Sequence, residues 1–144
     1  LATLAQSYSK SPYFKEYFPG LEAVLAAPYQ RLLDLNVDTF RWLVDSLGMS
    51  WKMQRSSELG IGGRKTERLV AICQKFKATE YLTGDAARDY LEEDRFQEIG
   101  VTVRWHNYEH PVYEQGRGEF VPYLSVVDLL FRHGPRSRDI LRRS

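Results

Sequence analysis

Past residue 50 the chain changes texture three times in the same way. A short run with strand character, SWKMQRS, gives way through SELGIGG to the amphipathic run RKTERLVAICQKFKA. EYLT passes through Thr83, Gly84 and Asp85 into AARDYLEEDRFQEIG, and VTVRWHNY is followed, after a long loop, by a helical run from Ser125. Each strand is separated from the next by a helix-length segment, the crossover that parallel pairing requires. The expected fold class is therefore α/β, with a small three-strand, mostly parallel sheet flanked by helices over residues 50–144.

The first 48 residues carry helical signals only. SPYFKEYF is expected to stop at Pro19-Gly20, and Pro28 marks a kink or join within LEAVLAAPYQRLLDL. Asn36 is placed to cap NVDTFRWLVDSLG, where Phe40, Leu43, Val44 and Leu47 form one apolar stripe and Gly48 a stop. A chain of 144 residues suits one domain. Three strands make a thin sheet, and the chain starts at Leu1 in place of a methionine. Together these read as a piece of a longer protein.

Charge and cysteine content narrow the class. A formal net charge of +1 supplies no field for nucleic acid or anionic membrane. The terminal arginines Arg132, Arg136, Arg138, Arg142 and Arg143 read as a solvated helix end. The single cysteine, Cys73, lies on the apolar spacing of Leu69, Ile72 and Phe76, so a buried structural thiol in a reducing, cytoplasmic setting is expected. No apolar run approaches the ~20 residues of a membrane-spanning helix, and no signal-peptide pattern is present.

Several segments could carry chemistry. His106-Asn107-Tyr108-Glu109-His110 spells H-x-x-E-H, a zinc signature that works on a helix. Here it continues a strand and runs into Pro111, and on a strand the two imidazoles would stand roughly 13 Å apart, too far to share a metal. That leaves no metal site. The loop Gly63–Thr66, with Lys65 and Thr66 opening a helix, could hold phosphate or carboxylate on free N–H groups, although it fits neither nucleotide fingerprint. The Thr83–Asp85 turn around Gly84 repeats the arrangement, and both loops are expected at the carboxyl edge of the sheet. Asp128 reads either as a general base or, three residues after Ser125, as one half of a capping box. His133 in the last turn before Gly134-Pro135 suits a helix dipole.

The longest loop, EHPVYEQGRGEF, is richest in chemistry. His110 can move a proton near neutral pH, Tyr113 and Gln115 offer donors and acceptors, and Arg117 can pair with an acid. A loop of ~12 residues without regular structure usually serves a site or covers one. Gly116 and Gly118 would let it bend.

SSEL, YLTGDAARDYL, HPVYEQ and FVPYLSVVDLLF followed by HG occur in that order over residues 56–134. In these pieces the chain resembles the WbqC-like protein family of bacteria, and the helical front resembles that family's middle region. Two departures stand out: a further segment with a Gln-Pro-Tyr-Phe-Pro-like stretch is absent, and Arg132 replaces the usual asparagine.

The resemblance implies work in O-antigen and other surface-polysaccharide biosynthesis, in the form of acyl or aminoacyl transfer to a nucleotide-linked amino sugar. It places His110, Pro111, Tyr113 and Gln115 on motif positions and draws attention to Ser56 and Ser57. The expected site is thus His110 as acid/base, with Ser56, Ser57, Lys65, Thr66, Gly84, Tyr113, Gln115 and Asp128 binding substrate. The partner is a small molecule, such as a nucleotide sugar, and no cofactor is specified. The alternative is a non-catalytic accessory domain that binds a sugar nucleotide or a partner enzyme of the pathway.

Overall fold

A computed structural model describes residues 1–116 and 118–142. Arg117 and Arg143, both singled out above, lie outside the described residues. In chain order the elements are α1 (Ala2–Tyr8), α2 (Phe14–Ala26), α3 (Leu32–Ser46), α4 (Lys65–Phe76), β1 (Glu80–Thr83), α5 (Glu93–Gln97), β2 (Thr102–Trp105), α6 (Val126–His133) and α7 (Ser137–Leu141). They fall into two compact units, residues 1–52 with 110–144, and residues 53–109.

The first unit is helical. Its core is Leu21 from α2, Val37 and Val44 from α3, and Leu129, Leu130 and Phe131 from α6. Phe131 is fully buried, with the rings of Tyr8 and Phe14 each 5.3 Å away and Phe18 at 6.4 Å. α6 therefore packs with the helical front. Its apolar face finds a ready aromatic wall there.

Two expectations for this unit change. α2 does not stop at Pro19 but continues through it to Ala26. A proline inside a helix removes one backbone hydrogen bond. The stacked pair Phe14–Phe18, at 4.5 Å, and buried Leu21 hold the flanking turns. Gly20 has a packing role, because a Cβ there would come within 2.6 Å of Trp42 Nε1. α3 begins at Leu32, so Asn36 lies inside the helix and caps nothing. Gly48, at φ +62°, does follow the helix end as expected.

The second unit is the α/β part. β1 and β2 pair in parallel, with Glu80 opposite Thr102 and Thr83 opposite Trp105. Tyr81 and Val103 point to the side filled by Cys73, Phe96 and Val101, and Tyr81 stacks on Phe96 at 4.9 Å. Cys73 is 4% exposed, and burial pushes its thiol up from the ordinary value, so it stays protonated and inert.

The expected third strand is absent among the described residues, where the sheet has two strands. Residues 51–55 are irregular, and Ser56–Glu58 form a single 3-10 turn. Trp51, in the run expected to be a strand, packs edge-on against Phe40 at 5.4 Å. The helix expected over 86–100 also shortens. Asp85–Ala87 make a 3-10 turn, and only Glu93–Gln97 are α-helical. Buried Thr66 intervenes: its hydroxyl donates to Tyr90 O and accepts from the Glu92 N–H at 3.3 Å.

Candidate functional site

The site is built where the 110–125 loop returns onto α6. Ser125 caps that helix, its hydroxyl accepting from Val127 N at 3.3 Å. Asp128 does not complete a capping box. Its carboxylate is 1% exposed and turns inward, accepting Tyr113 OH at 3.0 Å and Arg132 Nε at 2.8 Å. The Arg132 guanidinium lies over the Tyr8 ring, 5.6 Å from its centroid. A buried carboxylate needs this kind of company, because a lone charge out of water is costly.

His133 is the second anchor. Its Nε2 lies 2.8 Å from Glu114 O, and a carbonyl only accepts, so Nε2 carries the proton. The ring meets Tyr113 edge-on at 5.5 Å and is 9% exposed. His133 is thus no mere partner of the helix dipole; it clamps the loop.

Gln115 closes the loop on itself. Its amide donates to Val121 O and accepts from Val121 N, both at 2.8 Å, copying a backbone pairing with a side chain. His110 sits among rings: Tyr123 at 5.2 Å, Phe120 at 5.9 Å and Tyr113 at 6.0 Å. Tyr123 holds a left-handed φ of +61° while 76% exposed.

A cleft of about 270 Å³ opens beside this network, lined by Pro12, Tyr13, Glu114, Gly116, Arg132, His133 and Arg136. Two glycines shape it. A Cβ on Gly116, at φ +90°, would lie 2.7 Å from Arg132 Nη1, and one on Gly134, at φ +51°, would strike the Tyr13 ring at 2.4 Å. His110 is not part of this lining.

The structure therefore brings Tyr113, Gln115, Asp128 and His110 together around one loop. It adds Arg132, His133, Tyr13 and Arg136, which sequence reasoning had assigned to packing, the helix end or a departure from pattern. The HG after DLLFR was the available signal for His133. The remaining expected residues belong to the 53–109 unit. Ser56 and Ser57 are exposed, and Ser56 O accepts from Arg68 Nη2 at 3.2 Å. Lys65 is exposed at φ +47°, Thr66 is buried as described, and Gly84 faces open space. With no strand before it, the Gly63–Thr66 loop loses the sheet-edge argument. The Thr83–Asp85 turn keeps it, because it follows β1 directly. No cluster of three His, Cys, Asp or Glu able to hold a metal occurs among the described residues. No helix among them is long and apolar enough to cross a membrane.

Burial, and with it the Asp128 carboxylate, pushes the Tyr113 phenol up to about 12 from 10.0. Tyr113 is thus a fixed hydroxyl donor, not a base. Between these two values the unfolded chain has released the proton and the folded chain keeps it, so stability falls as pH rises through that window. Urea midpoints of the wild type are expected to drop from about pH 10 towards about pH 12, and Tyr113→Phe to drop less steeply. Equal slopes in the two proteins would contradict the assignment.

The chain is 35% identical over 138 residues to the uncharacterized protein Rv1507c of Mycobacterium tuberculosis, covering 94% of this chain and 60% of that protein. It thus spans well under two thirds of that relative's length. It is also 30% identical over 98 residues to a DNA-directed RNA polymerase subunit beta of Corynebacterium efficiens, covering 63% of this chain and 8% of the subunit. That stretch is too small a part of the polymerase subunit to carry its activity here. No solved structure matches significantly. A family model matches residues 1–140, and the chain belongs to the WbqC-like protein family.

Proposed function

We propose that this chain is part of a cytoplasmic enzyme of bacterial O-antigen or surface-polysaccharide biosynthesis. The reaction is acyl or aminoacyl transfer to a nucleotide-linked amino sugar. One observation carries the reading: the loop with the family's HPVYEQ motif is fixed at three points beside an open cleft. Tyr113 bonds Asp128, the Glu114 carbonyl receives His133, and Gln115 pairs with Val121. A loop that only connected would not need anchors as buried as Asp128 and His133, whose polar atoms must be satisfied to be tolerated.

In this reading His110 exchanges a proton with the reacting group, and the aromatic rings around it hold its plane. His110→Ala is expected to abolish glycan modification in a complementation assay while the thermal midpoint changes little. His110→Gln, which fills more of the ring pocket, should be equally inactive. Parallel loss of stability and function in both variants would overturn the catalytic role.

A second reading, a non-catalytic domain that binds a sugar nucleotide or a partner enzyme, is favoured by the absence of His110 from the cleft lining. It predicts ligand affinity without product from any acyl or aminoacyl donor.

A further inference from the structure

We infer that the cleft between the start of α2 and the end of α6 is a phosphate seat that takes a diphosphate, with Arg132 and Arg136 as its two anchors. The inference rests on the reading above and gives its substrate an orientation. It also moves the anion site away from Lys65 and Gly84, where glycine-rich turns had suggested it.

The fold leaves several N–H donors over at this cleft. Arg132 has five N–H groups in a rigid fork. Its Nε–H goes to Asp128 Oδ1, which fixes the plane of the guanidinium and leaves its Nη groups directed elsewhere. One of them, Nη1, faces Gly116 so closely that any side chain there would collide with it. Glycine at φ +90° is thus the residue that allows the guanidinium to reach the cleft wall. Arg136 lies on the same wall, is exposed, and has no hydrogen-bond or carboxylate partner among the described residues.

The lining then has a definite sign. Two guanidiniums and the His133 ring face a single carboxylate, Glu114. Asp128 fixes Arg132 from beneath but does not line the cleft. Guanidinium groups recognise phosphate oxygens through paired, charge-assisted hydrogen bonds, and two of them suit two phosphoryl groups. Tyr13 forms the remaining wall. Its ring rests on Gly134, its own N–H donates to Phe131 O at 3.0 Å, and it therefore offers a fixed apolar surface beside the charges. A volume of about 270 Å³ leaves room for a diphosphate and its attached groups.

Isothermal titration with inorganic pyrophosphate, inorganic phosphate and uridine diphosphate tests the seat. Pyrophosphate and uridine diphosphate are expected to bind more tightly than inorganic phosphate, with affinity falling as salt is raised. Arg136→Gln, at an exposed position, should weaken pyrophosphate about tenfold while the thermal midpoint is unchanged. Gly116→Ala should weaken it as well, by pushing back Arg132. Absence of pyrophosphate binding at low salt, or equal affinity in wild type and Arg136→Gln, overturns the inference. Such a failure leaves the transferase reading standing if His110→Ala still abolishes complementation. Pyrophosphate binding with full complementation by His110→Ala overturns the catalytic reading and keeps the seat.

Discussion

Arg132→Met is expected to destabilise the protein by about 3 kcal/mol, because it removes the cation paired with a buried carboxylate. Asp128 is 1% exposed and the Arg132 side chain 25%. Methionine keeps an unbranched apolar stem and loses the fork, which pairs with Asp128 and lies over Tyr8. The Asp128 charge would then be left with neutral hydroxyl donors, of which Tyr113 at 3.0 Å is the nearest. Urea unfolding should show the loss. Adding Asp128→Asn to the same protein should restore more than half of it, because the double variant has no orphaned charge. A loss below about 1 kcal/mol for the single change, the usual worth of a surface pair, would mean that water reaches Asp128.

Phe131→Ala is expected to cost about 4 kcal/mol, as large-to-small changes at fully enclosed aromatic positions do. The ring is 0% exposed and meets three others from α1 and α2. Removing it opens a hole beneath the helix that carries Asp128, Arg132 and His133. Phe131→Leu, closer in volume, should cost less than half as much. If the two substitutions were equally mild, the aromatic wall could not be what seats α6. Denaturant midpoints at matched slopes would decide it.

These two positions differ in how readable they were. Phe131 lies in the helical run expected from Ser125, so its element was legible from sequence. Its partners were not, since nothing local says that residue 131 meets residues 8, 14 and 18. Asp128 shows the same divide more sharply. Its spacing from Ser125 is that of a capping box, and half of that box forms, yet the carboxylate is claimed by a tyrosine fifteen positions upstream. Local spacing describes offers, and packing decides which are taken.

The parallel pairing of EYLT with VTVRW was legible because glycine turns and a helix-length crossover leave little else. The strand expected at SWKMQRS was not real for a related reason. A strand exists only with a neighbour to bond, and Trp51 is drawn to Phe40 and Arg41. Pro19 misled in the opposite direction, since a single lost hydrogen bond is outweighed by the aromatic and apolar packing on either side of it. That the HPVYEQ loop holds hydrogen-bond donors and acceptors could be read from residue types. The anchoring roles of His133 and Arg132 could not, because both stand on a helix end where a dipole or solvent is the ordinary explanation.

The Gln115 amide has one more consequence. It fastens positions 115 and 121 to each other through a side chain, so the loop's ends are already brought together whatever lies inside. A change at exposed Glu119, between the two fastened positions, is therefore expected to leave α6 undisturbed.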